Sequence, residues 1–160
     1  MQLEARAQVE IAAPPEAVFD VGADHRNFAR FIHAFGPIPG IASSRMHADA
    51  VPAAGAHRDV HMSDGSTIEE VILAFDRPSR HGYRWLRAPA GPFSLIVRAG
   101  EGEFRFEPTH GGRATRVCWT YTFELTSPLV YPIALVARVL FERWMDRALV
   151  ALRALIEHGA

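Results

Sequence analysis

Two short helical signals set between one strand and a run of six later strands constrain this chain more than any other feature of its sequence. From Gln2 to Ile11 apolar and polar residues alternate strictly, with Leu3, Ala5, Ala7, Val9 and Ile11 on one side, which predicts a half-buried strand. Pro14 and Pro15 then suit a helix start, where a missing N–H costs little, and Ala17, Val18, Phe19 and Val21 give that helix an apolar face up to about Gly22. Phe28, Phe31, Ile32 and Phe35 recur three and four apart, so a second helix is expected from about His25 to Phe35. The Gly36-Pro37-Ile38-Pro39-Gly40 segment stops it.

Strand signals follow over Ile41 to Ala48, Ala56 to Met62, Thr67 to Phe75, Gly82 to Arg87, Phe93 to Phe106 and Thr115 to Leu125. All are expected to be antiparallel. Ser63-Asp64-Gly65-Ser66 and His110-Gly111-Gly112-Arg113 mark tight hairpins. Gly100 and Gly102 interrupt an apolar run and predict a bulge or bend there. The last segment, about Pro132 to His158, places Ile133, Ala137, Leu140, Phe141, Trp144, Ala148, Leu152 and Leu155 at helical spacing. Pro132 fits only a first turn, which makes Ser127 to Tyr131 a separate turn.

At 160 residues, 49% hydrophobic and 22% charged, the chain has the length and composition of one globular domain over 1–160. Seventeen basic and eighteen acidic residues leave a net charge of -1, so no field draws a polyanion and nucleic acid is not expected as a partner. Cys118 is the lone cysteine and no basic, apolar leader precedes the first strand; a reducing cytoplasm is expected. The most apolar stretch, Pro128 to Phe141, is broken by Pro132 and Arg138 and is too short for a transmembrane segment.

The order of elements, with Ile11-Ala12-Ala13-Pro14-Pro15-Glu16-Ala17-Val18-Phe19-Asp20 at the first strand-to-helix passage and Ala23-Asp24-His25-Arg26-Asn27-Phe28 at the second helix entry, resembles the START-like (SRPBCC) superfamily. That superfamily includes birch pollen allergen, START lipid-transfer domains and bacterial polyketide cyclase/dehydrase-type proteins. Asp64-Gly65-Ser66, Phe75-Asp76-Arg77-Pro78, Phe106-Glu107-Pro108 and Thr115-Arg116-Val117-Cys118-Trp119 are similar to its hairpin, strand-end and last-strand patterns. The resemblance implies an α+β helix-grip fold, in which a curved antiparallel sheet of about seven strands holds a long C-terminal helix. It does not choose among carriers, cyclases and hydrolases.

A two-residue Asp64-Gly65 turn would set Met62 opposite Thr67, Val60 opposite Glu69 and Arg58 opposite Val71. One face then carries Arg58, Val60, Met62, Thr67, Glu69, Val71, Leu73 and Phe75. Tyr83, Trp85, Phe104, Phe106, Val117, Trp119, Tyr121 and Phe123 have the alternation to join it, facing Leu140, Phe141 and Trp144. This predicted concave face is either the wall of a cavity for an apolar ligand or a filled aromatic core. Glu69 and Arg58 are its candidate polar end, able to orient a ligand or, in a cyclase, to act as base and oxyanion partner.

Other chemistry finds less support. His57, Asp59, His61 and Glu70 could gather two imidazoles and two carboxylates, but without the spacing of a closed zinc site, and a solvated polar face is expected with no metal. Cys118 lacks a His-Asp arrangement, and Gly100-Glu101-Gly102 opens no helix, so neither a thiol nucleophile nor a nucleotide cofactor is expected. The run Leu129 to Phe141 is expected to lie under the loops Gly36 to Gly40 and Ala88 to Pro92. Its alternatives are a lid over the pocket mouth, a homodimer contact or a membrane-touching surface. The leading expectation is a binder or carrier of an apolar or amphipathic molecule (lipid, polyketide or quinone-like). A polyketide cyclase or dehydratase is the alternative, and an interaction protein the third.

Overall fold

The computed structural model describes residues 1–159. Seven strands, β1 (Gln2–Ile11), β2 (Ile41–Met46), β3 (His57–Met62), β4 (Thr67–Asp76), β5 (Arg80–Trp85), β6 (Val97–Thr109) and β7 (Ala114–Leu125), form one antiparallel sheet in the order β1-β7-β6-β5-β4-β3-β2. Between β1 and β2 lie the helix α1 (Pro15–Gly22), a 3-10 turn at His25–Asn27 and the short helix α2 (Phe28–Phe31). The long helix α3 (Tyr131–His158) closes the chain. Pro15 and Pro132 sit in first helical turns, as expected. The second helix is shorter than expected: it ends at Phe31, and Phe35 instead pairs with Ile38 in a turn that brings Ile41 N–H to Ile32 O.

The alternation of β1 translates directly into burial, with Leu3, Ala5, Ala7, Val9 and Ile11 all inside. α3 lies along this strand and presents Ala134, Phe141, Trp144, Met145, Ala148, Leu149, Leu152 and Leu155 to the core. Each of the leucines, Met145 and Phe141 contributes about 1.5–3 kcal/mol of transfer free energy on burial. Two carboxylates of α3 also finish the edge of the sheet. Glu142 Oε2 accepts from the N–H of Arg6 at 2.9 Å, and Glu157 Oε2 accepts from the N–H of Ala12 at 2.8 Å.

The outer side of α3 departs from expectation. The loops do not cover it, and Ile133, Val136 and Val139 are exposed, with Leu129 just before them. Only one side of this apolar run meets the core, because Ala134 and Phe141 already fill the contact with the sheet.

The glycines of β6 also play a different part from the one expected. The register shift lies between Val97 and Ala99, while Gly100 and Gly102 stay in the ladder. Their missing side chains make room for rings from β5. A methyl on Gly100 would lie 2.6 Å from the Trp85 ring, and one on Gly102 would overlap the Tyr83 ring. Tyr83 cannot step aside, since it is buried and hydrogen-bonded to Tyr121 and Trp119. Gly102→Ala should therefore destabilise the chain by roughly 1–3 kcal/mol or more. Gly82→Ala, whose added methyl would meet nothing nearer than 3.7 Å, should stay within about 0.5 kcal/mol of the parent; equal urea midpoints for the two variants would refute this account.

Candidate functional site

Arg58 is placed where a guanidinium is costly to bury. It projects from β3 to the inner face and is 1% exposed. Its Nε donates to Glu70 Oε1 at 2.9 Å, and Nη1 lies 3.1 Å from His81 Nε2. The guanidinium also stacks against the rings of Phe28 and Tyr83, at 5.0 and 5.2 Å from their centroids. Four elements, α2, β3, β4 and β5, thus converge on one charge.

Its acidic partner is Glu70, and this corrects the expected Glu69. The β3–β4 loop has three residues, Ser63, Asp64 and Gly65, with Met62 N–H donating to Ser66 O and Gly65 at φ 89°. Arg58 therefore faces Glu70, Asp59 faces Glu69, and Val60 faces Ile68. That one-residue slip turns Thr67, Glu69, Val71 and Leu73 to the outer side and brings Ile68, Glu70 and Ile72 inward. Phase is restored beyond a bulge between Ile72 and Ala74, so Phe75 packs inside against Phe19 and His81 as expected.

The other expected inner-face residues lie where the alternation places them. Val60, Met62, Tyr83, Trp85, Phe104, Phe106, Val117, Trp119, Tyr121, Phe123, Phe141 and Trp144 are buried, and Leu140 is half-buried on α3. They form a ring-to-ring wall. Trp119 stacks on Phe104 at 4.6 Å, and Phe141 meets Tyr121 and Phe123 edge-on at 5.0 and 4.9 Å. Where the start of α3 faces Leu3, Phe93, Phe123 and Phe141, the remaining gap is about 20 Å³, roughly the room for one water.

His81 is the member of the site that sequence reasoning missed. It sits on β5 with no exposed surface, between the rings of Phe28 and Phe104 and against Phe75. Burial, then the Arg58 charge and then His25 hold its imidazole well below the ordinary value of 6.5, so it is neutral. Arginine can only donate; the neutral ring must accept at Nε2 and carry its proton on Nδ1. The alternation of Tyr83 and Trp85 could have revealed it, since His81 continues the same inward series. Burial raises the Glu70 carboxyl above its ordinary range, with Arg58 opposing, and raises the hydroxyls of Tyr83 and Tyr121. Tyr83 donates to Tyr121 at 2.7 Å and accepts from Trp119 Nε1 at 3.2 Å.

The four groups first considered for metal are divided by the register. Glu70 is inside, whereas His57, Asp59 and His61 face outward. Cys118 is half-buried and faces Gln8, and burial pushes its thiol up, away from nucleophilic chemistry.

Glu70→Gln removes the charge that balances a desolvated guanidinium and should cost roughly 3–5 kcal/mol, whereas Glu69→Gln on the outer face should remain within about 0.5 kcal/mol. Urea unfolding of the two variants separates the registers. Protonation supplies a second test. Because the folded state holds His81 below 6.5, its contribution is complete above that pH and is lost as the pH falls below it. Glu70, held above its ordinary 4.5, works in the opposite sense, its contribution fading as the pH rises through the folded value. The His81 part lowers the urea midpoint between about pH 7.5 and about pH 5.5, so in His81→Phe the midpoint at about pH 5.5 should rise relative to that at about pH 7.5; an unchanged difference between the two pH values would exclude His81 as a source.

The sequence matches the family model described as polyketide cyclase/dehydrase and lipid transport over residues 2–157. No protein of curated function matches it. Among solved structures, Ara h 8.0201 superimposes with a TM-score of 0.72 at 17% identity, covering 98% of each chain. TTHA0849 from Thermus thermophilus superimposes at 0.69 and 21% identity, covering 99% of each. The di-domain ARO/CYC BexL from the BE-7585A biosynthetic pathway does so at 0.68 and 18% identity, over 98% of this chain and 50% of BexL. With a helix-grip fold and a family match along nearly its whole length, the chain belongs to the polyketide cyclase/dehydrase and lipid-transport family.

Proposed function

We propose that this chain binds an apolar small molecule rich in hydrogen-bond acceptors, such as a ketone, quinone or polyketide, between the inner face of the sheet and α3. The observation that carries the reading is the character of the unpaired polar atoms inside. Arg58 Nη2, His81 Nδ1 and Trp144 Nε1 are buried without a hydrogen-bond partner. All three are donors, Nδ1 because Nε2 faces arginine. A fourth unpaired atom, Thr109 Oγ1, lies apart at the end of β6. Each buried donor left unmade costs about 1–3 kcal/mol, so a ligand offering carbonyl oxygens in an aromatic setting gains twice.

With a gap of only about 20 Å³ beside Phe141, a ligand enters there as Phe141, Trp144 and the first half of α3 move away from the sheet. Binding is favoured over cyclisation because the two candidate bases are engaged. Glu70 is held by Arg58, and the neutral His81 directs its only lone pair at Arg58 Nη1.

A matched pair of probes tests this: 2-acetylnaphthalene, which carries an acceptor, and the nearly isosteric 2-isopropylnaphthalene, which does not. Titration calorimetry should show the ketone binding about tenfold or more tightly, the worth of one well-made buried hydrogen bond. Trp144→Phe should reduce that advantage. Equal affinities for the two probes would remove the acceptor preference, and no binding of either would remove the binder.

A further inference from the structure

We propose that His47, His57, Asp59 and Glu69 form a site for one divalent transition-metal ion of the zinc class on the outer face of the sheet, at the β2–β4 edge. Three segments bring the donors together. His57 and Asp59, two apart on β3, share a side of the strand, and Glu69 lies directly across from Asp59 on β4. His47 is delivered by the turn His47–Asp49 after β2, where Ala48 and Asp49 adopt φ of 54° and 52°.

The distances are those of a nearly assembled coordination shell. His47 Nε2 lies 2.9 Å from Asp59 Oδ1, and His57 Nδ1 lies 3.8 Å from Glu69 Oε1. The donor atoms of His47, Asp59 and Glu69 all fall within 4.8 Å of one another. Ligands at zinc bond lengths stand about 3.3 Å apart in a tetrahedron, so small side-chain rotations close the His47, Asp59 and Glu69 donors around an ion, and His57, 3.8 Å from Glu69, swings in as the fourth. The ring centroids of His47 and His57 are 5.9 Å apart. All four side chains are between 37% and 43% exposed, which leaves an ion a path in from solvent.

Charge provides a separate argument. Asp59 and Glu69 are like charges on directly opposed strand positions, an arrangement that destabilises a sheet unless a cation intervenes. Among the described residues neither pairs with an arginine, and the chain has no lysine. Arg45 opposes Asp59 from β2, yet its guanidinium is turned to Asp49, 4.0 Å away. Two carboxylates and two imidazoles form a donor set with charge matched to a dication, and imidazole favours zinc, nickel or copper over magnesium or calcium.

Titration calorimetry of the untagged, chelator-treated full chain with zinc chloride should show one ion bound per chain, and cobalt should give a visible absorption band of a nitrogen–oxygen site. Asp59→Asn and His47→Ala should each weaken zinc binding at least about tenfold while leaving the far-ultraviolet circular dichroism unchanged. His61→Ala, on the same outer side but paired with Thr67, should bind zinc as the parent does. The proposal is overturned if the parent shows no saturable binding, or if Asp59→Asn and His47→Ala, still folded, bind zinc like the parent. Neither result depends on what the interior binds.

Discussion

The desolvated guanidinium of Arg58 is the constraint on which the inner face of this protein depends. A buried charge of this kind contributes little net stability, because the cost of removing it from water offsets most of what its partners return. What it imposes is arrangement. Glu70 must lie on the inner side of β4, His81 on the inner side of β5, and Phe28 must arrive from α2 to cover the plane of the group. The chain has arginine and no lysine, and at this position the choice matters. A lysine ammonium could neither stack between Phe28 and Tyr83 nor serve Glu70 and His81 at once with a planar fork.

How much of this was legible in the sequence depends on which strand is considered. β1 and β7 carry long alternation, and β5 and the second half of β6 continue it, so most of their inner residues, from Leu3 to Phe123, follow from period two. β4 reads Thr-Ile-Glu-Glu-Val-Ile-Leu-Ala-Phe, in which two adjacent glutamates and a run of apolar residues leave the phase undetermined. Only the length of the Ser63–Gly65 loop decides it, and Asp-Gly serves two-residue and three-residue loops alike. The bulge near Leu73 then returns Phe75 to the inside, so an inverted reading was right at Phe75 and wrong at Glu69, Val71 and Leu73. The helix-grip order was readable because it rests on punctuation by Pro and Gly rather than on register.

The partners of the aromatic wall were less accessible to sequence reasoning for a different reason. Gly100 and Gly102 look like sites of strand weakness, but the rings of Trp85 and Tyr83 occupy the space their side chains would take. Such a relation joins residues fifteen and nineteen positions apart across two strands and exists only once the register of β5 against β6 is set. It also explains why the interior is so full. The rings of Tyr83 and Trp85 laid over glycine backbone pack against Tyr121, Tyr121 and Phe123 meet Phe141 edge-on, and α3 settles onto that surface with little space between.

The two edges of the sheet are treated in opposite ways, and this difference bears on where function resides. At β1 the free N–H groups of Arg6 and Ala12 are taken by Glu142 and Glu157, so α3 is tied to the edge at points fifteen residues apart. Those ties are exposed hydrogen bonds rather than a buried seam. The first three turns of α3, before Glu142, are held only by apolar contact on one side and present Ile133, Val136 and Val139 to solvent on the other. The proposed entry of a ligand accordingly falls in that half of the helix, beside Phe93 and Phe141, while the anchored half keeps Leu149 and Leu152 in the core. At the opposite edge, β2 carries no such helix. Its turn presents His47 to Asp59, placing these outward polar groups on the β3–β4 hairpin, at the opposite end of the strand order from the edge that α3 covers.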